Sequence, residues 1–453
     1  MQARPRLTGR KVTINELMIE LASSAERVRP ARAVHGVVAV PGDKSISHRY
    51  AMLTSIAEGQ SRILNYSTGA DCQSTLASMA AMGVKHEAGE HGRRELVVHG
   101  CGLNGLEAPE HMLDAGNSGS TIRMLSGILA AQAFACEIGG DESLSKRPMK
   151  RILAPLEQMG ARIQSTDGGY PPLRIQGSAL HGIDYTLPVA SAQVKSCVLL
   201  AGLYASGETV VRESVRTRDH TEIALRELGA GIRVEGGGAV QVTGGVPLFG
   251  RDLMVPGDLS SAAFFLVAAL VVPEAELVIT NVGLNPTRTA LLDFLRAAGA
   301  SIQILNVEQV NGELIGTLQV RHSHIRGGVI EGPLAAALID EIPVLAVLGA
   351  TSETGLVVKD AAELRVKETD RIATIAENLR RMGVSVDVAA DGFTLPGKQS
   401  FQSAELDSFG DHRIAMAFSV AALAAAGECV IHNAGAASVS YPEFYTTLRE
   451  IAQ

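Results

Sequence analysis

One motif occurs five times in this sequence, and it leaves few folds open. A helix-like, leucine-rich segment runs into a turn of small residues, then a strand, a second turn and another strand. The copies span 76–100, 153–177, 225–245, 291–320 and 375–397. Their turns are Met82-Gly83-Val84, Met159-Gly160-Ala161, Leu228-Gly229-Ala230, Ala298-Gly299-Ala300 and Met382-Gly383-Val384. A helix stopping there needs a residue at ease with positive φ, which glycine supplies. Alternation such as Ala161-Arg162-Ile163-Gln164 marks the strand that follows. The segment 443–451 opens a sixth copy, whose strand is expected from the N-terminal stretch near 37–40. Long unrelated segments separate the copies, so the pattern predicts α/β domains of repeated units rather than a stacked solenoid.

A second repetition marks a boundary. Val40-Pro41-Gly42-Asp43 and Val255-Pro256-Gly257-Asp258 each end a strand in Pro-Gly, offer an acid as a cap and begin an apolar helix. Two matched junctions half a chain apart predict two crossings between two similar domains: 43–257, and 1–42 plus 258–453. At 453 residues the chain is too long for one core. Its apolar share of 46%, with no Trp and 47 Gly, predicts cores of Ala, Val, Leu and Ile linked by tight turns.

The net charge of −8 argues against general affinity for nucleic acid or an anionic membrane, so an anionic ligand needs a local basic pocket. The longest apolar run, 262–272, falls short of the roughly 20 residues of a membrane span. Five scattered cysteines suit neither a disulfide framework nor a zinc site, and they point to a reducing cytoplasm. Residues 1–32 carry seven Arg/Lys and three Glu without an apolar signal core. This stretch is therefore expected to be a dispensable extension, and residues 1–34 as a whole an extension of unknown role.

Several segments carry chemistry. Gly42-Asp43-Lys44-Ser45-Ile46-Ser47-His48-Arg49 opens a helix, where free N–H groups and the dipole favour anions. It is not a phosphate-binding P-loop, which needs Gly directly before Lys. Gly116-Asn117-Ser118-Gly119-Ser120-Thr121-Ile122-Arg123 is expected to be a loop leading into an apolar helix over 124–133, with small residues that admit a ligand to the backbone. Ser145-Lys146-Arg147-Pro148-Met149-Lys150-Arg151 is basic, Ser191-Ala192-Gln193-Val194-Lys195 could cap a helix or bind oxygen, and Arg218-Asp219-His220-Thr221-Glu222 offers an arginine to a phosphate. Ordinary capped helix starts and solvated charge runs would account for each of these taken singly. Asp340 and Glu341 interrupt the apolar, helix-like segment 334–349, where burial would raise a carboxylate's pKa toward that of a general base. Lys367-Glu368-Thr369-Asp370-Arg371 places Lys367 and Arg371 one helical turn apart on one face, beside Glu368. Asp411-His412-Arg413 opens another helix. His322 and His324 are too few ligands for zinc.

Taken in order from about residue 35 to the end, these motifs, with Asn285-Pro286-Thr287-Arg288, resemble the EPSP synthase (3-phosphoshikimate 1-carboxyvinyltransferase) family of enolpyruvyl transferases, in its class II branch. The resemblance implies an α/β fold of two similar domains, each of three βαβαββ units around a pseudo-threefold axis, joined by two crossovers. It implies that shikimate 3-phosphate meets Lys44, Ser45, Arg49, Ser191, Gln193, Arg218, Asp340 and Lys367. Phosphoenolpyruvate meets Lys44, Gly119, Arg147, Gln193, Arg371 and Arg413. Seven cations would then face two substrates carrying roughly −5 to −6 together, counting about −1.5 to −2 per phosphate.

The family's reaction adds the 5-hydroxyl to C2 of phosphoenolpyruvate while C3 takes a proton, then eliminates phosphate. The resemblance casts Asp340 as the base for the hydroxyl, and Glu368 with Lys44 as the groups exchanging the proton at C3. It implies no metal and no organic cofactor, and the chain is expected to be a cytoplasmic monomer. Glyphosate in this family occupies the phosphoenolpyruvate site, and Gly119 stands where Ala is associated with tolerance. Two departures stand out: Val439 and Ser440 replace a Lys found before the aromatic-Pro pair, and Ala192 replaces a Ser. The related UDP-N-acetylglucosamine enolpyruvyl transferases carry a loop Cys near the position of Arg147, and none lies between Cys136 and Cys197 here. A non-catalytic anion binder of the same fold would have no use for Asp340 and Glu368.

Overall fold

The computed structural model describes residues 25–90, 92–236 and 238–453. Among them, six small sheets carry the chain, five of four strands and one of three. The four-stranded sheets share one order, a parallel pair followed by two antiparallel strands. In one, Leu113–Asp114 runs parallel to Ala135–Gly139, and Tyr170–Gln176 and Arg162–Thr166 follow antiparallel. Each of the five sequence repeats is a helix and the antiparallel pair after it, as in Ala70–Ala81, Lys85–Gly89 and Gly92–Cys101. The glycine at every one of these turns takes positive φ, from 77° at Gly383 to 107° at Gly299.

The sixth unit corrects the sequence reading. Its N-terminal strand is Glu26–Val28, antiparallel to Cys429–His432, and not the stretch near 37–40. His35–Ala39 belongs instead to the neighbouring sheet, parallel to Glu276–Gly283. Residues 25–34 are thus built into the fold rather than dispensable: Arg27 and Arg29 both pair with Glu428, at 2.8 and 2.9 Å. Three residues show no alternation, and their pairing partner lies some 400 positions away, so nothing local signalled this strand. The rest of the expected extension, 1–24, lies outside the described residues.

The two Val-Pro-Gly-Asp junctions bond each other reciprocally. The Asp43 N–H donates to the Pro256 carbonyl at 2.7 Å, and the Asp258 N–H donates to the Pro41 carbonyl at 2.8 Å. Backbones pass so closely that a Cβ on Gly42 would lie 1.8 Å from the Asn65 carbonyl oxygen. Buried hydrophobic residues form two clusters. One draws on 28–40 and 259–451, the other on 46–255. The helix Leu259–Val271 runs through the first, and no helix among the described residues is long and apolar enough to cross a membrane.

Candidate active site

Helix starts position most of the candidate ligands. Asp43 caps Lys44–Ser55 by accepting from the Ile46 N–H at 2.9 Å, which makes Lys44 the first helical residue. The Lys44 ammonium lies 2.8 Å from Asp71 Oδ2. Burial pulls its pKa down, but Asp71 and Glu368 outweigh burial and hold it above its usual value. Ser45 Oγ lies 3.3 Å from Arg218 Nη1. Arg49 is sunk into the wall, donating to Thr221 Oγ1 at 2.6 Å, Ser196 Oγ at 2.8 Å and the Ser45 carbonyl at 2.7 Å. Lys195 is buried between Glu213 and Glu222, at 2.7 and 2.6 Å, so it closes a core ion cluster.

Ser118 caps Gly119–Leu129 and Ser191 caps Ala192–Gly202. Between these helices Gln193 is held by its amide: Oε1 accepts from Arg123 Nη1 at 2.7 Å, and Nε2 donates to Ser120 Oγ at 3.0 Å. Arg147 donates to Asn117 Oδ1 at 2.6 Å and to Ser143 Oγ at 3.1 Å. A Cβ on Gly119 would lie 2.9 Å from Arg123 Nη1 and 3.6 Å from Arg147 Nη1, so this backbone turn lies directly under the arginine pair.

In the other half the sequence reading needs two corrections. The segment 334–349 is not one helix but two, Pro333–Leu338 and Ile342–Thr351. Pro343 lies in the first turn of the second helix, where its missing N–H is tolerated but a continuous helix is not. Asp340 sits at the resulting break. Likewise, Lys367 and Arg371 do not share a helical turn. Lys367 ends the 3₁₀ turn Ala362–Val366, Asp370 caps, and Arg371 begins Arg371–Arg381.

The break aims Asp340 into a ring of cations drawn from both halves. Arg218 Nη2 reaches its Oδ2 at 2.9 Å, Arg371 Nη1 and Lys367 Nζ lie 3.7 and 3.8 Å from Oδ1, and Arg413 donates to its backbone carbonyl at 2.8 Å. Burial pushes the Asp340 carboxyl upward, as the sequence suggested, but Arg413, Lys367, Arg218 and Arg371 together hold it well below the usual carboxylate range. The expected raised base is therefore a firmly ionised one. Glu368 is likewise held well below its usual range, burial being outweighed by the charges of Arg371, Arg147 and Lys44. It bonds Arg371 Nη2 at 2.6 Å and lies 3.9 Å from Arg147.

Arg371 is fully buried. Its fork of Nε and Nη2 is taken by Asp411, at 2.7 and 3.3 Å, while Nη1 has no hydrogen-bond partner among the described residues. His412 is buried as well, its pKa brought down to about 4 by burial and the nearby Lys44, so its imidazole is neutral at pH 7.

The structure thus gathers Lys44, Ser45, Arg218, Asp340, Lys367, Glu368, Arg371, Arg413 and Arg147 along one seam between the halves, with Gly119 and Gln193 beside Arg123 and Arg147. Ser191 and Arg49 are engaged in capping and in wall contacts. Asp71, the partner of Lys44, was not among the residues read from the sequence. Its signal was faint: an acid in the first turn of a helix 27 residues away. The hold of Asp411 on Arg371 was equally hidden, since Asp411 read only as a helix start.

Fold and site together define an α/β enzyme of two similar halves with a cluster of cations along the seam between them. The family model for EPSP synthase (3-phosphoshikimate 1-carboxyvinyltransferase) matches residues 28–448. A 3-phosphoshikimate 1-carboxyvinyltransferase of Solibacter usitatus is 64% identical over 428 residues, covering 94% of this chain and 100% of that one. Another, from Synechococcus sp., is 51% identical, covering 96% and 98%. The solved EPSP synthase of Acinetobacter baumannii superposes with a TM-score of 0.83 at 42% identity, covering 94% of this chain and 98% of that one. The chain belongs to the EPSP synthase family.

Proposed function

We propose that this chain transfers the enolpyruvyl group of phosphoenolpyruvate to the 5-hydroxyl of shikimate 3-phosphate, releasing phosphate. The observation that carries the reading is the ionised Asp340 ringed by Arg218, Lys367, Arg371 and Arg413 from both halves. Shikimate 3-phosphate meets Lys44, Ser45, Arg49, Ser191, Gln193, Arg218, Asp340 and Lys367. Phosphoenolpyruvate meets Lys44, Gly119, Arg147, Gln193, Arg371 and Arg413, with the open Nη1 of Arg371 as its donor.

The cations explain how a depressed carboxylate serves as a base. Arriving phosphates and carboxylates draw the positive charge of the ring to themselves, and Asp340 regains proton affinity as the hydroxyl reaches it. At C3 the resting charges divide the work. Lys44 holds a proton and supplies it during addition, while Glu368 holds none and takes one back during elimination. The proton returns from Glu368 to Lys44 after phosphate leaves, and Asp340 gives the hydroxyl's proton to the departing phosphate. The reading treats 43–257 and 1–42 plus 258–453 as domains of a cytoplasmic monomer; the two buried clusters support the division into domains, and the five free thiols suit a reducing compartment.

Phosphate release from phosphoenolpyruvate tests it. Release is expected with shikimate 3-phosphate and not with UDP-N-acetylglucosamine. No release with the former overturns the proposal.

A further inference from the structure

Two motifs that the chemistry above leaves idle, Asp219-His220 and Asn285, meet across the seam. His220 Nδ1 lies 2.7 Å from Glu313 Oε1, and both side chains are 2% exposed. The Asn285 amide donates to Asp219 Oδ1 at 2.8 Å and to Glu313 Oε2 at 3.0 Å. Its orientation is fixed, because Oδ1 accepts from the Thr287 N–H at 2.9 Å and from the Thr287 hydroxyl at 2.7 Å. Nδ2 must therefore face the two acids. Glu313 follows the tip of the long hairpin Ser301–Val310 and Glu313–Arg321, and that tip leans on the other half. Asn311 Oδ1 accepts from the Met254 N–H at 2.9 Å, and a Cβ on Gly312 would lie 2.8 Å from Ile223 Cγ2.

What this clasp holds is the backbone on either side of Arg218. Asp219 is fastened by Asn285, while Thr217 donates to Glu213 through its N–H, at 3.2 Å, and through its hydroxyl. Between these two anchors Arg218 extends to Ser45 Oγ and Asp340 Oδ2. A guanidinium carried on a long side chain amplifies small errors in its backbone, and a misplacement of about 1 Å at such a site can lose about 100-fold in rate. A buried carboxylate such as Glu313 is tolerated only while its donors are in place.

We infer that Asn285 and Glu313 are positioning residues: from one half they set Arg218 of the other half at the place where it meets the phosphorylated acceptor. The inference rests on the proposed reaction, and it makes the acceptor site complete only while the halves are clasped.

The test is a split between two Michaelis constants. Asn285→Asp keeps the oxygen that Thr287 needs and turns the donor into a carboxylate facing Asp219 and Glu313. The KM for shikimate 3-phosphate should rise about tenfold or more, the range for losing a hydrogen bond to a charged group. The KM for phosphoenolpyruvate should stay within about twofold of the natural protein. Glu313→Gln, which preserves shape, should move the same constant in the same direction, and it decides the matter if Asn285→Asp does not fold. A loss of active protein with both constants unchanged, or both constants rising together, would mark a merely structural role and overturn the inference. A natural protein without acceptor-dependent phosphate release would instead overturn the proposed reaction. An active natural protein with an unmoved acceptor KM in the variants overturns only the clasp.

Discussion

The two Val-Pro-Gly-Asp junctions share a backbone and diverge in chemistry. Each aspartate caps a helix, Asp43 by accepting from the Ile46 N–H at 2.9 Å and Asp258 from the Ser260 N–H at 2.8 Å. After Asp43 come Lys44, Ser45 and, a turn later, Arg49, which face the seam or line it. After Asp258 come Leu259, Ser260 and a helix whose Phe265 packs on Tyr441 and Phe444, with ring centroids 5.9 and 5.8 Å apart. One junction helix brings cations to the seam and the other supplies core. The second half finds its charges elsewhere, at the helix break of Asp340, at Lys367 to Arg371 and at Asp411 to Arg413. Repetition of the unit therefore fixes where helix starts aim, and the residues placed on those starts decide which of them bring charge to the seam.

The comparison can be broken first at Asp340, where the largest effect is expected. Asp340→Asn should slow turnover by about 10²–10⁴-fold, the usual contribution of a general base. The ring of cations survives, so both KM values should stay near those of the natural protein. Near-normal turnover would remove Asp340 from the chemistry and leave it as a counter-ion.

Lys44→Met comes next, since it gives the first junction the apolar character that Leu259 has in the second. The KM for phosphoenolpyruvate should rise about 10–100-fold, as expected on losing a charge-assisted hydrogen bond. An unchanged constant together with unchanged turnover would mean that the two junctions differ in sequence but not in use.

Local chemistry was legible in the sequence and long-range pairing was not. Helix starts at Asp43, Ser191 and Asp411 were readable because a cap acts within three residues, whereas the helix expected over 124–133 in fact begins at Gly119, capped by Ser118. The five repeats were readable because the glycine that stops a helix sits inside each copy. By contrast, Asp71 matters only because its helix packs beside Lys44, and Asp411 only because it reaches Arg371 from 40 residues away. The sign of the Asp340 shift was misread for the same reason. Burial can be inferred from apolar neighbours in the chain, but the four cations that outweigh it come from three separate segments. The break before Pro343 was visible in principle, because a proline there forbids one continuous helix.

The two caps themselves offer the smallest and most direct test. Asp43 is buried, which pushes its carboxyl upward, but His220, Arg288, the Ile46 N–H and Arg218 outweigh burial and hold it below its usual value. Its charge therefore contributes stability that is present above the unfolded value of about 3.9 and is lost as pH falls through the lower folded value. Asp258 is shifted upward by burial and then by the charge of Asp43, against Arg288, Arg413 and the Ser260 N–H. Its contribution runs the other way, present below about 3.9 and lost as pH rises through the higher folded value. Asparagine caps a helix about as well as aspartate, so the substitution removes charge and leaves the cap. At pH 7, Asp43→Asn should lower the thermal midpoint by about 2–4 °C, the shift for about 1 kcal/mol in a domain of this size. Asp258→Asn should leave the midpoint unchanged or raise it. The gap between the variants should narrow as pH is lowered from about 3.9 through the lower folded value of Asp43, below which both natural acids are neutral. Equal losses at pH 7 would show that the two junctions are electrostatically alike, with their difference confined to the residues that follow the caps.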